Sequence, residues 1–450
     1  MIGIIISLYL LIMLVLCFIK IRVGIAMYLL YQILVPFVSI KFGSLQFGQN
    51  LVNTVILIAL FVTYSNKIKY FEYKSLVPFL FLFVSQFLLI PFHLDSMPIG
   101  EQLNNFRLDI MGSLLLPFAM INVMKFDRNA YKLFRNVLLI GILIAVLYGI
   151  FLTTIPGINP WLIVTLPLND LEFNDAYALA ENGGRLFGRI SSVFSHPMTF
   201  GLFLCLAFVF TYSLIQPKSK NVIYFLLLAL IIVAIVICGI RTPIGALVVV
   251  VGFYLLMLRK FKYLFYVAIS CLVFYAVIKQ FPDLYMYVSS IFDSQSNAVS
   301  GSSSQMRLEQ LNGSLDVIKN NQLTGLGYGW TGYYKALQGD HPVLLAFESL
   351  LYVIICNNGY IGILIWIVML FLYYQYLYKH YTKSSRYILF SLMVAYISYS
   401  LITGEYGYMK YFLIFYVMIL VNQKPRKLIK NYLLEKKQLN KSKSRKYTYE

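Results

Sequence analysis

The chain has 450 residues, of which 60% are hydrophobic and 12% charged, with a formal net charge of +19. Soluble chains carry about 25% charged residues, and even large soluble domains leave about a quarter of the chain's surface exposed. So apolar a chain excludes a soluble fold and makes lipid its solvent. The positive charge does not point to nucleic acid, because most of it is spread over short connections between apolar runs.

In chain order, apolar runs predict membrane helices at 2–19, 23–40, 51–65, 76–92, 110–124, 136–153, 193–213, 221–239, 242–258, 262–280, 344–374, 387–402 and 409–421. A helix needs about 20 residues to cross a hydrocarbon core of about 30 Å. The runs are helix-length blocks, not the alternating ten-residue segments of a β-barrel. The predicted fold class is all-α: a polytopic transmembrane helical bundle of about 12–13 spans with a large, partly helical extracytoplasmic loop. The runs at 110–124 and 409–421 are short enough to be re-entrant. Met1 to Ile19 lacks a basic start and an Ala-x-Ala-like cleavage site, so it reads as a span. The five cysteines, Cys17, Cys205, Cys238, Cys271 and Cys356, sit in or beside apolar runs without metal-ligand spacing and read as packing residues.

The organisation expected is N-terminal helices over 1–153, a first long loop over 154–192, central helices over 193–280, a second long loop over 281–343, C-terminal helices over 344–421 and a basic tail over 422–450. Alternate connections hold 27 of the 37 Lys and Arg, whereas the other set holds 14 of the 18 acids. The excess of basic residues in cytoplasmic loops places the basic connections and the C-terminus in the cytoplasm and both long loops outside. The tail reads as a solvated segment touching anionic head groups. The second long loop opens Ser-rich at Ser294–Gln305, becomes helix-like over Arg307–Lys319, and ends in Gly325, Gly327, Gly329 and Gly332. Charges are nearly absent from mid-span, which favours chemistry at the outer surface over conduction through the centre.

Four arginines stand on the outer side against the general trend: Arg185, Arg189, Arg241 and Arg307. Each alone is also explained by an acid partner or by snorkelling to head groups. Arg241 is the sharpest, set between two apolar runs with almost no loop to solvate it. Guanidinium groups bind phosphate bidentately, so several together suit a pyrophosphate. His196 and His341 belong to the same face, and imidazole is a natural base near neutral pH. His196 also suits a helix start. Glu348 is expected two turns into the next span, facing the same cavity. His93 and His380 read as interface residues. Trp330 and Tyr328, with other loop aromatics, are candidates to stack on sugars. There is no metal signature, and the glycine cluster lacks the Gly-Lys-Ser/Thr ending of a nucleotide loop.

Four stretches resemble the O-antigen polymerase and O-antigen ligase superfamily of bacterial envelope glycosyltransferases. They are GRLFGRISSVFSHPMTFGLFL from Gly184 to Leu204; Arg241-Thr242 at a tight turn, with Gly239-Ile240 where the family has Ser; Arg307 followed by Asn320-Asn321-Gln322-Leu323-Thr324-Gly325-Leu326-Gly327, with Gln322 in place of Pro; and His341, Glu348 and Asn358-Gly359-Tyr360-Ile361-Gly362. The resemblance implies transfer of a glycan from undecaprenyl pyrophosphate to a hydroxyl acceptor, with no cofactor, metal or nucleotide sugar. It implies that Arg185, Arg189, Arg241 and Arg307 bind the diphosphate, that His341 activates the acceptor and that Glu348 supports it. His196, Trp330 and Tyr328 become acceptor or sugar contacts. The implied partners are the lipid-linked oligosaccharide, membrane lipids, a flippase and a chain-length regulator, in the cytoplasmic membrane of a bacterium. The wide spacing from His341 to Gly359 leans towards a polymerase of O-antigen, capsular or exopolysaccharide. A ligase, a transporter or flippase of the same lipid-linked glycan, and a non-enzymatic sensor are the alternatives.

Overall fold

A computed structural model of the chain describes residues 2–35, 40–42, 45–155, 157–166, 188–215, 221–280, 285, 304–405 and 407–423. Apart from one small ribbon, pairing β1 (Ile40–Phe42) with β2 (Leu45–Phe47), the regular structure is helical. The N-terminal part holds α1 (Ile2–Ile19), α2 (Ile21–Leu34), α3 (Gln49–Thr63), α4 (Val77–Phe87), α5 (Ile99–Ser113), α6 (Leu115–Phe126), α7 (Arg128–Leu152) and the short α8 (Pro160–Thr165). The central helices are α9 (Pro197–Ser213), α10 (Val222–Ile237), α11 (Arg241–Met257) and α12 (Phe261–Ile278). Then follow α13 (Ser304–Val317), α14 (Trp330–Gln338), α15 (Leu350–His380), α16 (Lys383–Thr403) and α17 (Met409–Asn422). Four stretches, Ile99–Phe126, Arg128–Leu152, Leu350–His380 and Lys383–Thr403, are long and apolar enough to cross a membrane, and shorter apolar helices accompany them. The chain is an all-α multi-pass membrane bundle.

Two short runs acquire definite places. The run at 409–421 is α17, and every residue from Tyr411 to Leu420 is buried. A helix apolar all round belongs in the middle of a bundle, and α17 packs on α5, α6, α7, α9 and α16. Its Phe412 and Tyr416 meet Phe79 of α4 edge-on at 5.6 and 5.5 Å. The run at 110–124 is longer than its apolar part. Helix α5 begins at Ile99, with Glu101, Gln102, Asn104, Asn105, Arg107 and Asp109 in its polar turns, and meets α6 at Leu114. Two of those polar side chains, Gln102 and Asp109, accept from the amide and the hydroxyl of Tyr328.

The basic connections gather at one end. Arg22 pairs with Asp127 at 2.9 Å, and Asp127 also caps α7 by accepting from the Asn129 amide. Lys125 donates to the Tyr70 carbonyl at 2.6 Å and lies 3.9 Å from Glu72. The opposite end carries Arg189, Arg241, Arg307 and α14.

Helix α15 is kinked at Gly359, whose φ of 59° and ψ of −152° are not helical. Opening a helix inside an apolar bundle frees carbonyls and amides that must be satisfied within the protein. The turn at Gln322–Gly327 satisfies them. Leu326 and Gly327 amides donate to the Cys356 and Asn357 carbonyls at 2.8 and 3.0 Å. Tyr360 and Ile361 amides donate to the Gln322 and Leu323 carbonyls at 3.0 and 2.9 Å. Two stretches singled out in the sequence thus interlock through backbone, which is why Gln322 serves without its side chain. His93 is 2% exposed, not an interface residue. Its Nε2 donates to the Thr324 carbonyl at 2.8 Å and ties the α4–α5 connection to the same turn.

The cysteines Cys17, Cys205, Cys238 and Cys356 are buried and free, as packing residues are; the side chain of Cys271 lies outside the described residues.

Candidate functional site

At the end opposite the basic connections, three polar clusters come together around α14. The first lies ahead of α9. The Ile190 amide donates to the Cys238 carbonyl at 3.2 Å, laying the Arg189 segment along the Cys238–Arg241 turn. Gly239 has a φ of 71°, which lets the chain reverse there, and Arg241 becomes the first residue of α11. Gly201 permits the close approach of α9. A Cβ at that position would stand 2.6 Å from Pro243 Cγ and 2.6 Å from the Tyr399 hydroxyl. His196 caps α9 by accepting from the Met198 amide at Nδ1, 3.1 Å away. Burial pushes its imidazole down to about 4, and the charges of Arg189 and Lys335 add to the shift. The charges of both cations therefore bear on His196, and one of them, Lys335 of α14, escaped the sequence reading.

The second cluster is the loop from His341 to Ser349. His341 and Leu345 exchange backbone hydrogen bonds of 2.9 and 2.8 Å. The His341 Nδ1 accepts from the Val343 and Leu344 amides at 3.2 and 3.1 Å. Its Nε2 therefore carries the proton and is a donor. Burial moves the imidazole below its ordinary value, in keeping with a neutral ring. Leu345 and Phe347 hold φ of 51° and 54°, a conformation costly for bulky residues. The Phe347 ring is 5.9 Å from His341 and 6.0 Å from both Trp330 and Tyr334, so packing on α14 supports that strain. Tyr334 is also 5.4 Å from His341, and Lys335 pairs with Asp340 at 3.4 Å.

This loop delivers Glu348 just before α15, not two turns inside it. Ser349 caps α15 through the Leu351 amide at 3.2 Å and donates to the Leu401 carbonyl at 2.7 Å. The strained turn delays the helix beyond the start of the apolar run. Arg307 of α13 meets Glu348 there. Its Nη1 donates to the Glu348 carbonyl at 2.7 Å and to Gln310 at 3.1 Å, and its Nη2 lies 3.4 Å from the Glu348 carboxylate. The Tyr352 hydroxyl donates to the Arg307 carbonyl at 2.8 Å. Arg307 and Glu348 thus form one unit.

The third cluster lines a cleft of about 350 Å³ between α4, α5, α14, α15 and the α16–α17 connection. It contains Asp109, Glu405, Asn358, Trp366 and Tyr396. Tyr328 is 4% exposed and donates to Asp109 Oδ2 at 2.7 Å, which makes it a wall residue. Glu405 accepts from the Gly407 and Met409 amides at 2.8 and 2.7 Å. Burial raises its carboxyl, against those amides.

Of the expected site residues, the structure joins Arg307 with Glu348, brings the charge of Arg189 to bear on His196, and links His341 and Trp330 through Phe347 and α14. Arg185 lies outside the described residues. Among the described residues no three of His, Cys, Asp and Glu are grouped to hold a metal ion. Lys335, Asp109 and Glu405 were missed, and Asn358 stood in its quoted stretch without a role of its own. The signals for the two acids are slight: Asp109 at the edge of an apolar run and Glu405 between two runs.

Fold and site together define a multi-pass membrane protein with cations, histidines and acids collected at one end of its helices. Residues 225–367 match the family model described as O-antigen ligase. The match spans about a third of the chain and shows that this region is similar to that family. No curated protein matches the chain, and no solved structure does.

Proposed function

We propose that the chain is a polymerase that joins lipid-linked oligosaccharide repeat units at the outer face of a bacterial cytoplasmic membrane. The donor is a glycan on undecaprenyl diphosphate. The observation that carries this reading is the joining of Arg307 to Glu348 at the end where Arg189, Arg241 and Lys335 also stand. In the reaction the acceptor oxygen bonds to the anomeric carbon. The bond from that carbon to the diphosphate oxygen breaks, and its electron pair leaves with the diphosphate. Fixed guanidinium groups meet that growing charge. Arg189, Arg241 and Arg307 take this role, joined by Arg185 and by Lys335.

The acceptor proton needs a base. His341 was expected in that role, but its Nδ1 lone pair is engaged by two amides and its Nε2 is a donor. In this geometry it is better suited to donate to an acceptor or diphosphate oxygen. Glu348 is the group beside Arg307 able to accept a proton. The basic end faces the cytoplasm in this reading, and both long loops, 154–192 and 281–343, face outward. A flippase supplies the donor from the cytoplasmic side, and a chain-length regulator acts on the product.

A ligase that joins the same donor to a different acceptor is the second reading, favoured by the description of the matched family. Replacing Arg241 with Ala and blotting surface polysaccharide tests both. Under the polymerase reading the ladder collapses to a single repeat at unchanged protein level. Retained polymer on the lipid carrier, with none on its final acceptor, selects the ligase. A normal ladder on the final acceptor refutes the diphosphate site.

A further inference from the structure

The cleft holding Asp109 and Glu405 lies outside the cationic machinery, and its chemistry is different. Its lining carries two carboxylates and no Lys, Arg or His. Lys410 interacts with Glu405 from outside the lining, and the lining itself offers a diphosphate no cation. A bare metal cation is disfavoured for the opposite reason, because two residues of the lining also carry buried donors without acceptors. Asn358 is 3% exposed, and its Nδ2 has no acceptor. The indole Nε1 of Trp366, about two turns further along α15, has none either. Buried donors are rarely left so in native proteins, and a cation offers them nothing. The acceptor side is also open: Asp109 uses Oδ2 for Tyr328 and keeps exposed surface. A ligand that both donates and accepts, without charge, satisfies all of these groups. Hydroxyls have that property.

Position adds to chemistry. The cleft reaches Leu350, two residues after Glu348 and so within about 7 Å of it along the chain. It also reaches Thr331 and Gly332, which share a face of α14 with Lys335 at helical spacing. Aromatic walls from Phe83, Tyr396 and Trp366 suit the C–H faces of a sugar. The volume of about 350 Å³ is at the small end of ligand sites and fits a terminal sugar better than a polymer. The geometry points to this cleft as the binding site for the neutral terminal sugar of the acceptor glycan, held by Asp109, Glu405, Asn358 and Trp366 beside the Arg307–Glu348 pair. The assignment rests on the glycosyl-transfer reading above for the word acceptor.

The test uses the full chain in lipid nanodiscs and isothermal titration with three probes. These are the host's single repeat oligosaccharide released phosphate-free from its lipid, inorganic pyrophosphate, and sodium chloride against choline chloride. Wild type is expected to bind the oligosaccharide saturably. Asp109→Asn and Trp366→Phe each remove one partner and weaken that binding about tenfold or more, with pyrophosphate binding unchanged. Arg307→Ala has the reverse pattern. Each variant must first be monodisperse with a wild-type thermal midpoint; Trp366→Phe keeps an aromatic ring and stands in if Asp109→Asn fails this. Absent oligosaccharide binding, or wild-type affinity in both folded variants, overturns the proposal. So does a saturable sodium response lost in Asp109→Asn without any sugar response. If the oligosaccharide pattern holds but Arg307→Ala leaves pyrophosphate binding and polymer intact, the cleft stands as a glycan site and the transfer reading fails.

Discussion

Replacing Gly359 with Ala tests the interlock that joins the Gln322–Gly327 turn to the kink of α15. The φ of 59° with ψ of −152° lies where non-glycine residues pay about 1–3 kcal/mol in strain. A Cβ there would come within 2.5 Å of the Gln322 oxygen, 2.6 Å of the Leu323 oxygen and 2.7 Å of the Gly325 nitrogen. All three are backbone atoms, so relief requires the turn to withdraw. Withdrawal breaks the two hydrogen bonds from Tyr360 and Ile361 and weakens the two from Leu326 and Gly327, at about 1 kcal/mol each. The sum is about 5 kcal/mol, close to the whole stability of many proteins. Two other glycines are controls. Gly339 has nearly the same backbone, φ 78° and ψ −152°, but nothing within 4 Å of an added Cβ. Its replacement by Ala costs the strain alone, about 1–3 kcal/mol. Gly332 lies inside α14 with nothing within 4 Å, so Ala there gains up to about 1 kcal/mol of helix propensity. Thermal midpoints of the detergent-solubilised variants, read by fluorescence-detected size exclusion, should fall in the order Gly332→Ala, Gly339→Ala, Gly359→Ala. A Gly359→Ala protein as stable as Gly339→Ala would refute the interlock.

Arg307→Lys keeps the charge but not the fork that reaches both the Glu348 carbonyl and carboxylate. Polymer output should fall about a hundredfold at normal protein level; equal output would mean that charge alone suffices. His196 is held neutral, with a value of about 4 against about 6.5 when unfolded. The folded state thus binds fewer protons there, so the stability it contributes is complete above about pH 6.5 and is lost as pH falls towards 4. His341 follows the same direction. His196→Asn, which retains a capping group, should flatten the acid limb of a midpoint-against-pH curve, and an unchanged limb would discount His196. Tyr328→Phe removes the hydroxyl 2.7 Å from Asp109 and should lower stability by about 1–3 kcal/mol. A midpoint within error of wild type would refute a stabilising role for this hydrogen bond.

The apolar runs carried the fold class because a membrane helix is a local property: about 20 residues of low polarity are sufficient. The runs predicted at 221–239, 242–258 and 387–402 are the helices Val222–Ile237, Arg241–Met257 and Lys383–Thr403. The boundary of α5 was not legible, since its polar turns are matched by Tyr328 and the cleft. Glu348 was misplaced because the turn with positive φ at Leu345 and Phe347 consists of apolar residues that read as helix. Arg307, Arg189 and Arg241 stood out by charge against the topological trend, but nothing local told that Arg307 grips Glu348, 41 residues away.

The sequence by itself therefore determined the solvent, the helices and the charged residues that oppose their surroundings, because each is written in a window of neighbouring residues. Only the tertiary structure decided that Lys335 bears on His196, that Gly359 and Gly325 make room for each other, and that Asp109 and Glu405 share one cleft. Those relations join segments up to some 300 residues apart in the chain. They arise from which buried donors and carbonyls remain to be satisfied once the helices have packed, and hydropathy carries no record of that.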